Sequence, residues 1–135
     1  MSSPNEIVHN GKVVARKIDA DSWSEGLGFY SQESEYLQVG TWNYNEGKQL
    51  QRHVHNELDR VCSRTHEVLY IRAGSLRATI YSDDHQVLGE FVLNANDALI
   101  LLDCGHGYEI LEDKTKVIEI KNGPYLGADK DRRRF

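Results

Sequence analysis

At 135 residues, with 39% hydrophobic and 27% charged side chains, the chain has the size and balance of one globular domain, with enough core to fold without disulfide staples. A formal net charge of −5 and a pI of about 5.6 leave it without the bulk positive field that attracts phosphate backbones, so nucleic acid is not an expected partner. No apolar run approaches the roughly 20 residues of a membrane helix, and the start Met1-Ser2-Ser3-Pro4-Asn5-Glu6 lacks the basic and apolar regions of a signal peptide, so no membrane contact and a cytoplasmic location are expected. Cys62 and Cys104, in a chain without an export signal, are expected as free thiols, with Cys104 buried and inert.

From one end to the other, short apolar runs alternate with turn signals, the pattern of an antiparallel β-sandwich or barrel. About ten residues form an N-terminal extension to a single domain spanning 1–135. Strands are then expected at Lys12–Ile18, Tyr36–Tyr44, Gln51–His55, His66–Arg72, Leu76–Tyr81, Val87–Leu93, Ala98–Leu102, Tyr108–Leu111 and Lys116–Lys121. Gly, Asn and Asp mark the turns at Asn45-Glu46-Gly47, Ala73-Gly74, Ser82–His85, Asn94–Asp97 and Glu112–Lys114. Two hairpins are expected: Leu76–Tyr81 with Val87–Leu93, and Tyr108–Leu111 with Lys116–Lys121. Helix is scarce, with at most one turn beginning at Asp19-Ala20-Asp21-Ser22-Trp23. In the tail Asp129–Phe135, Arg132 to Arg134 are either solvated or docked on an acidic surface of this or a partner chain.

The chemistry concentrates in a few positions. His53 and His55, one residue apart in a strand, project to the same side and form a chelating pair. Glu67 opens the apolar run Glu67-Val68-Leu69-Tyr70-Ile71, where a buried carboxylate is costly without a metal or cation partner. His106 lies in Asp103-Cys104-Gly105-His106-Gly107-Tyr108. Three imidazoles and one carboxylate suit one divalent first-row transition metal: iron, manganese, nickel, cobalt or zinc. His66, beside Glu67, points to the opposite face of a regular strand, unless a β-bulge exchanges the two. Tyr108 shares the face of His106 and is a candidate catalytic donor toward bound substrate. Arg60 and Arg64, in the segment after the His pair, either hold an anionic substrate group or pair with Glu57 and Asp59 at the surface.

The spacing of Gly47, His53, His55, Glu67 and Gly74 resembles the first motif of the cupin superfamily: glycine, five residues, His-x-His, a gap, Glu, six residues, glycine. Here Asn56 to His66 fill the gap with eleven residues, where cupins usually have three or four. In the second motif Asn96, Leu102 and Cys104 stand where cupins have glycine, proline and glycine, and His106 falls one residue early. Asn96 tolerates the left-handed backbone that a glycine would supply. The likeness runs from Val39 to Ile120, and the chain looks more loosely like small bacterial single-domain cupins through its Gly-His-Gly segment and Asn122-Gly123-Pro124-Tyr125. It implies an antiparallel double-stranded β-helix, a jelly-roll barrel, with His53, His55, Glu67 and His106 as metal ligands. A homodimer is expected with it.

Three functions follow as expectations. The first is a metal-dependent enzyme on a small molecule, of dioxygenase, isomerase or lyase type. The second is a metal-free sugar-nucleotide isomerase or epimerase, with the His53/His55 pair as acid and base. The third is a non-catalytic small-molecule or metal-binding module. Convergence of Glu67 and His106 on the pair favours the first.

Overall fold

A computed structural model describes residues 5–135. The described residues form strands β1 (Glu6–His9), β2 (Lys12–Ile18), β3 (Gly26–Phe29), β4 (Gly40–Asn43), β5 (Glu67–Ala73), β6 (Ser75–Tyr81), β7 (Val87–Asn94), β8 (Ala98–Leu101), β9 (Gly105–Ile110) and β10 (Lys116–Lys121). One helical turn, α1 (Ala128–Asp131), follows. A five-stranded sheet runs in the order β1-β2-β8-β5-β10, a three-stranded sheet in the order β7-β6-β9, and β3 pairs with β4. The ladders are antiparallel, and among the described residues no sheet closes into a barrel. No helix among the described residues is long and apolar enough to cross a membrane.

Period-two alternation explains the layers. Leu69 and Ile71 of β5 and Leu99 and Leu101 of β8 turn inward against Leu76, Ala78 and Ile80 of β6 and Phe91 and Leu93 of β7, forming the main core between the two larger sheets. The alternate residues Val68 and Ile100 face the other way, where Ile18, Leu102, Tyr30, Leu37 and Val39 cover them. Both faces of β5 and β8 are therefore buried, which is why they read as nearly continuous apolar runs. On this second face Arg16 is buried and meets Glu35 at 3.0 Å, clasping residues 30–39 to the sheet.

Turn chemistry follows the backbone. Asn96 takes φ 72, the left-handed region, and buried Asp97 accepts the backbone N–H groups of Asn94 and Ala20, each at 2.8 Å. Gly74 has φ +80, and a Cβ there would stand 2.8 Å from Thr115 Cα, so no other residue fits without displacing the 111–115 connection.

Several expectations need correction. Residues 6–9 are not extension but strand β1, paired along β2, while residues 1–4 of the expected extension lie outside the described residues. The Leu76–Tyr81 hairpin forms as β6–β7, but β9 and β10 do not pair. β9 adds to β6 and β10 adds to β5, because Leu111–Thr115 crosses between the sheets, with Leu111 N–H donating to Ser75 O. Asp19–Trp23 makes a turn, closed by Ser22 N–H on Asp19 O, and no helix. The expected strand at Tyr36–Tyr44 shrinks to Gly40–Asn43, and the one at Gln51–His55 is absent. Residues 44–66 find no ladder partner among the described residues and run as irregular, mostly exposed chain.

That segment has an energetic signature. The chain exposes 10104 Å², against roughly 7,200 Å² for a compact monomer of its 15.4 kDa mass. Val54 at 88% and Val61 at 82% exposed contribute, as do Val117, Ile118 and Ile120 of the edge strand β10.

Candidate functional site

A cleft of about 1360 Å³ opens between the ends of the two larger sheets. Glu67 enters it as the first residue of β5, flanked in register by Leu101 of β8 and Lys121 of β10. His106 enters from the other sheet, opposite Ile80 of β6. The two meet across the gap, His106 Nε2 lying 2.9 Å from Glu67 Oε2. Burial alone would raise the Glu67 pKa, but the hydrogen bond and charge of His106, with the charge of Lys121, hold it below the usual carboxylate range. His106 Nδ1 is buried without a partner, an unspent coordination or hydrogen-bonding site.

Tyr108 lies on the same strand face, its ring centroid 5.4 Å from that of His106. Burial first, then the negative charge of Glu67 and Glu119, push its phenol well above the ordinary range, so it remains a proton-bearing donor. Cys104 packs in the main core, where burial pushes its thiol up to about 12. It is free and inert, and Cys62 is free and exposed.

His53 and His55 are elsewhere. Their rings sit edge-to-face, centroids 5.0 Å apart, and His53 Nδ1 is 3.0 Å from Gln51 O, but both are exposed and neither lines the cleft. Among the described residues no group of three or more His, Cys, Asp or Glu is arranged to hold an ion. Half of the expected ligand set, Glu67 with His106, is thus brought together, and the other half stands apart with residues 44–66. As the chain is arranged, Glu67 and His106 alone do not make a metal centre.

His66 turns away from Glu67 and stacks on Tyr36, with centroids 4.5 Å apart. The backbone N–H of Tyr36 donates to its Nδ1 at 3.3 Å, which requires the Nε2–H tautomer. Burial lowers its pKa below 6.5, against the opposing pull of Asp103 and Glu35. The unfolded chain then takes up this proton more readily than the folded one. Stability contributed by neutral His66 is present above about pH 6.5 and is lost as pH falls toward the lower folded-state pKa. Thermal midpoints should fall between pH 7.5 and 5. His66→Asn, which keeps an acceptor for Tyr36 N–H, should flatten that slope, and an unchanged slope would assign it to other groups.

Arg60 is exposed and does not line the cleft. Arg64 does, but its guanidinium binds Asp103 at 3.3 Å and Asp83 at 3.4 Å rather than Glu57 or Asp59. Sequence reasoning missed Lys121, which β5–β10 pairing sets opposite Glu67 and which pairs with Glu119 at 3.0 Å. It also missed Asn122, whose side chain accepts His66 N–H at 2.7 Å and donates to Arg64 O at 3.2 Å. The wrong hairpin for β10 hid both. No protein-family model matches the chain, and no curated protein or solved structure matches it either.

Proposed function

We propose that this chain is a cupin-type protein that binds one divalent transition-metal ion and acts as a metal-dependent enzyme on a small molecule. The observation that carries the reading is the meeting of Glu67 and His106, two of the four expected ligands on different sheets, at 2.9 Å inside a cleft, beside a buried imidazole nitrogen without a partner. His53 and His55 complete the set if the strand-forming stretch Gln51–His55 joins the edge of β9. That edge has no ladder partner among the described residues, and β9 ends its sheet where β10 ends the other. Added in the register that turns both imidazoles to the His106 face, the stretch would also cover apolar surface now exposed along β9 at Tyr108 and Ile110. The ion, when bound, would polarise a carbonyl or enolate oxygen or activate dioxygen. The chain's own residues supply a carboxylate held ionised at Glu67 and a phenol donor at Tyr108.

Metal analysis of protein purified without a polyhistidine tag tests this reading. About one ion of iron, manganese, nickel, cobalt or zinc per chain is expected, and protein that neither contains nor takes up such an ion overturns it. The second reading is metal-free proton transfer at a carbon next to a carbonyl, with His106, oriented by Glu67, as the acid or base in place of the His53/His55 pair.

The proposal includes a homodimer. Its support is the edge strand β10, which presents Val117, Ile118 and Ile120 where no ladder partner lies among the described residues. Sedimentation at micromolar concentration should give a dimer. Monomer alone would withdraw that part of the proposal.

A further inference from the structure

The chain after α1 crosses the cleft as a strap fixed near both ends. At one end Thr65 donates a hydrogen bond from its hydroxyl to the Asp131 carboxylate. At the other the Phe135 ring stacks on His85, with centroids 4.0 Å apart and planes within 2°, and meets Tyr81 edge-on at 5.1 Å. Gly105 makes room for that ring, since a Cβ there would stand 3.2 Å from Phe135 Cζ. Between the anchors, Arg132, Arg133 and Arg134 line the same cleft as Glu67, His106 and Tyr108.

The charges in the cleft are unevenly committed. Arg64 is bound by Asp83 and Asp103, Lys121 by Glu119, and Glu67 by His106. Among the described residues, none of the three strap arginines has an ion pair or a side-chain hydrogen bond. The cleft lining holds as many Lys and Arg as Asp and Glu, whereas the whole chain carries −5, so the excess negative charge lies elsewhere on the molecule. Arginines with uncommitted side-chain donors, on an anchored strap that lines a cleft, suit bidentate capture of an oxyanion.

We infer that the ligand of this cleft is a small molecule bearing an oxyanion, a carboxylate or phosphate, that docks on Arg132–Arg134. The inference rests on the reading of the cleft as the small-molecule site, and it does not depend on a metal. It replaces Arg60 and Arg64 as the anion-holding residues, the first lying outside the cleft and the second already bound by two carboxylates.

Calorimetric titration of the metal-stripped full chain at low ionic strength, with inorganic phosphate in one arm and malonate in the other, tests it. At least one probe should bind, and the stronger arm identifies the anionic group. Replacing Arg132, Arg133 and Arg134 together by Gln should weaken that binding roughly tenfold or more, and Lys at the same positions should recover part of it. A control triple, Lys12→Gln with Arg72→Gln and Lys116→Gln, removes the same charge at exposed positions outside the cleft lining and should change affinity less than about twofold. Failure of both probes to bind overturns the inference. So does an equal loss in the two triples, which would reduce the effect to net charge. Because the titration is run without metal, its failure leaves the metal reading standing, and absence of metal leaves this one standing.

Discussion

Replacing His53 and His55 together by Ala is expected to abolish stoichiometric metal while leaving the sheets folded. Both side chains are exposed and outside the cores, so their loss removes little packing. It does remove two of four proposed ligands. Loss of a residue that merely orients a ligand typically costs about 10–100-fold in metal affinity, so loss of the pair should cost roughly a hundredfold or more. Metal should also protect the backbone amides of residues 50–55 from hydrogen exchange, since closure on β9 gives them ladder partners they now lack. Affinity should fall in acid, because ligating imidazoles must be neutral. His66→Ala should leave metal content nearly unchanged, because that ring is spent on Tyr36. Should His66→Ala strip the ion while Glu67→Gln keeps it, the ligand assignment on β5 is wrong. Unaltered metal content in the His53/His55 double variant would remove the His pair from the site altogether.

What the sequence made legible follows from how much of each signal is local. β2 and β10 carry their own boundaries, in apolar stretches bracketed by turn residues, and form where the pattern sets them. β5 and β8 announce themselves through burial on both faces. β1 and β3 were invisible because four residues, two of them glycine in β3, carry too little pattern; only the partners β2 and β4 make them strands. Pairing is non-local by nature. The turn signal at Glu112–Lys114 is real, yet it links two sheets rather than two strands of one, and this sets Lys121 beside Glu67 in the ladder while His106 of β9 reaches the same carboxylate across the cleft. The candidate site divides the same way. Glu67 and His106 were legible as a carboxylate on an apolar strand and an imidazole near the next strand, and the sheets bring them together. The His53/His55 strand was read from alternation alone, and eleven residues before Glu67 give it no tight hairpin to hold it in register. For the tail the sequence leaves solvation and docking both open, because what fixes the strap, Phe135 against His85 and Tyr81, is a tertiary contact that local sequence does not carry.

Glu35→Ala is expected to destabilise the fold by about 3 kcal/mol, a loss of roughly 10 °C in thermal midpoint for a domain of this size. Arg16 sits on the second face of the five-stranded sheet, the face of Ile18 two residues on, with its side chain 9% exposed; the Glu35 side chain above it is 8% exposed. Glu35 takes Arg16 Nη1 at 3.0 Å on one oxygen, and its other oxygen accepts the backbone N–H of Gln32 at 2.8 Å. Without it the guanidinium stays buried with only Glu6 in reach, at 3.7 Å. The cost therefore comes mainly from an uncompensated buried cation, not from the lost attraction, since a paired charge in the interior has already spent most of its Coulomb gain on desolvation. The double change Arg16→Met with Glu35→Leu separates the two. It removes both charges at similar volume and should return stability to within about 1 kcal/mol of the parent. A Glu35→Ala loss below about 0.5 kcal/mol, the scale of an ordinary surface substitution, would mean that residues 30–39 do not hold the pair out of water. A double variant as unstable as the single would place the cost in the loop's own hydrogen bonds, Gln32 N–H foremost, rather than in the stranded arginine.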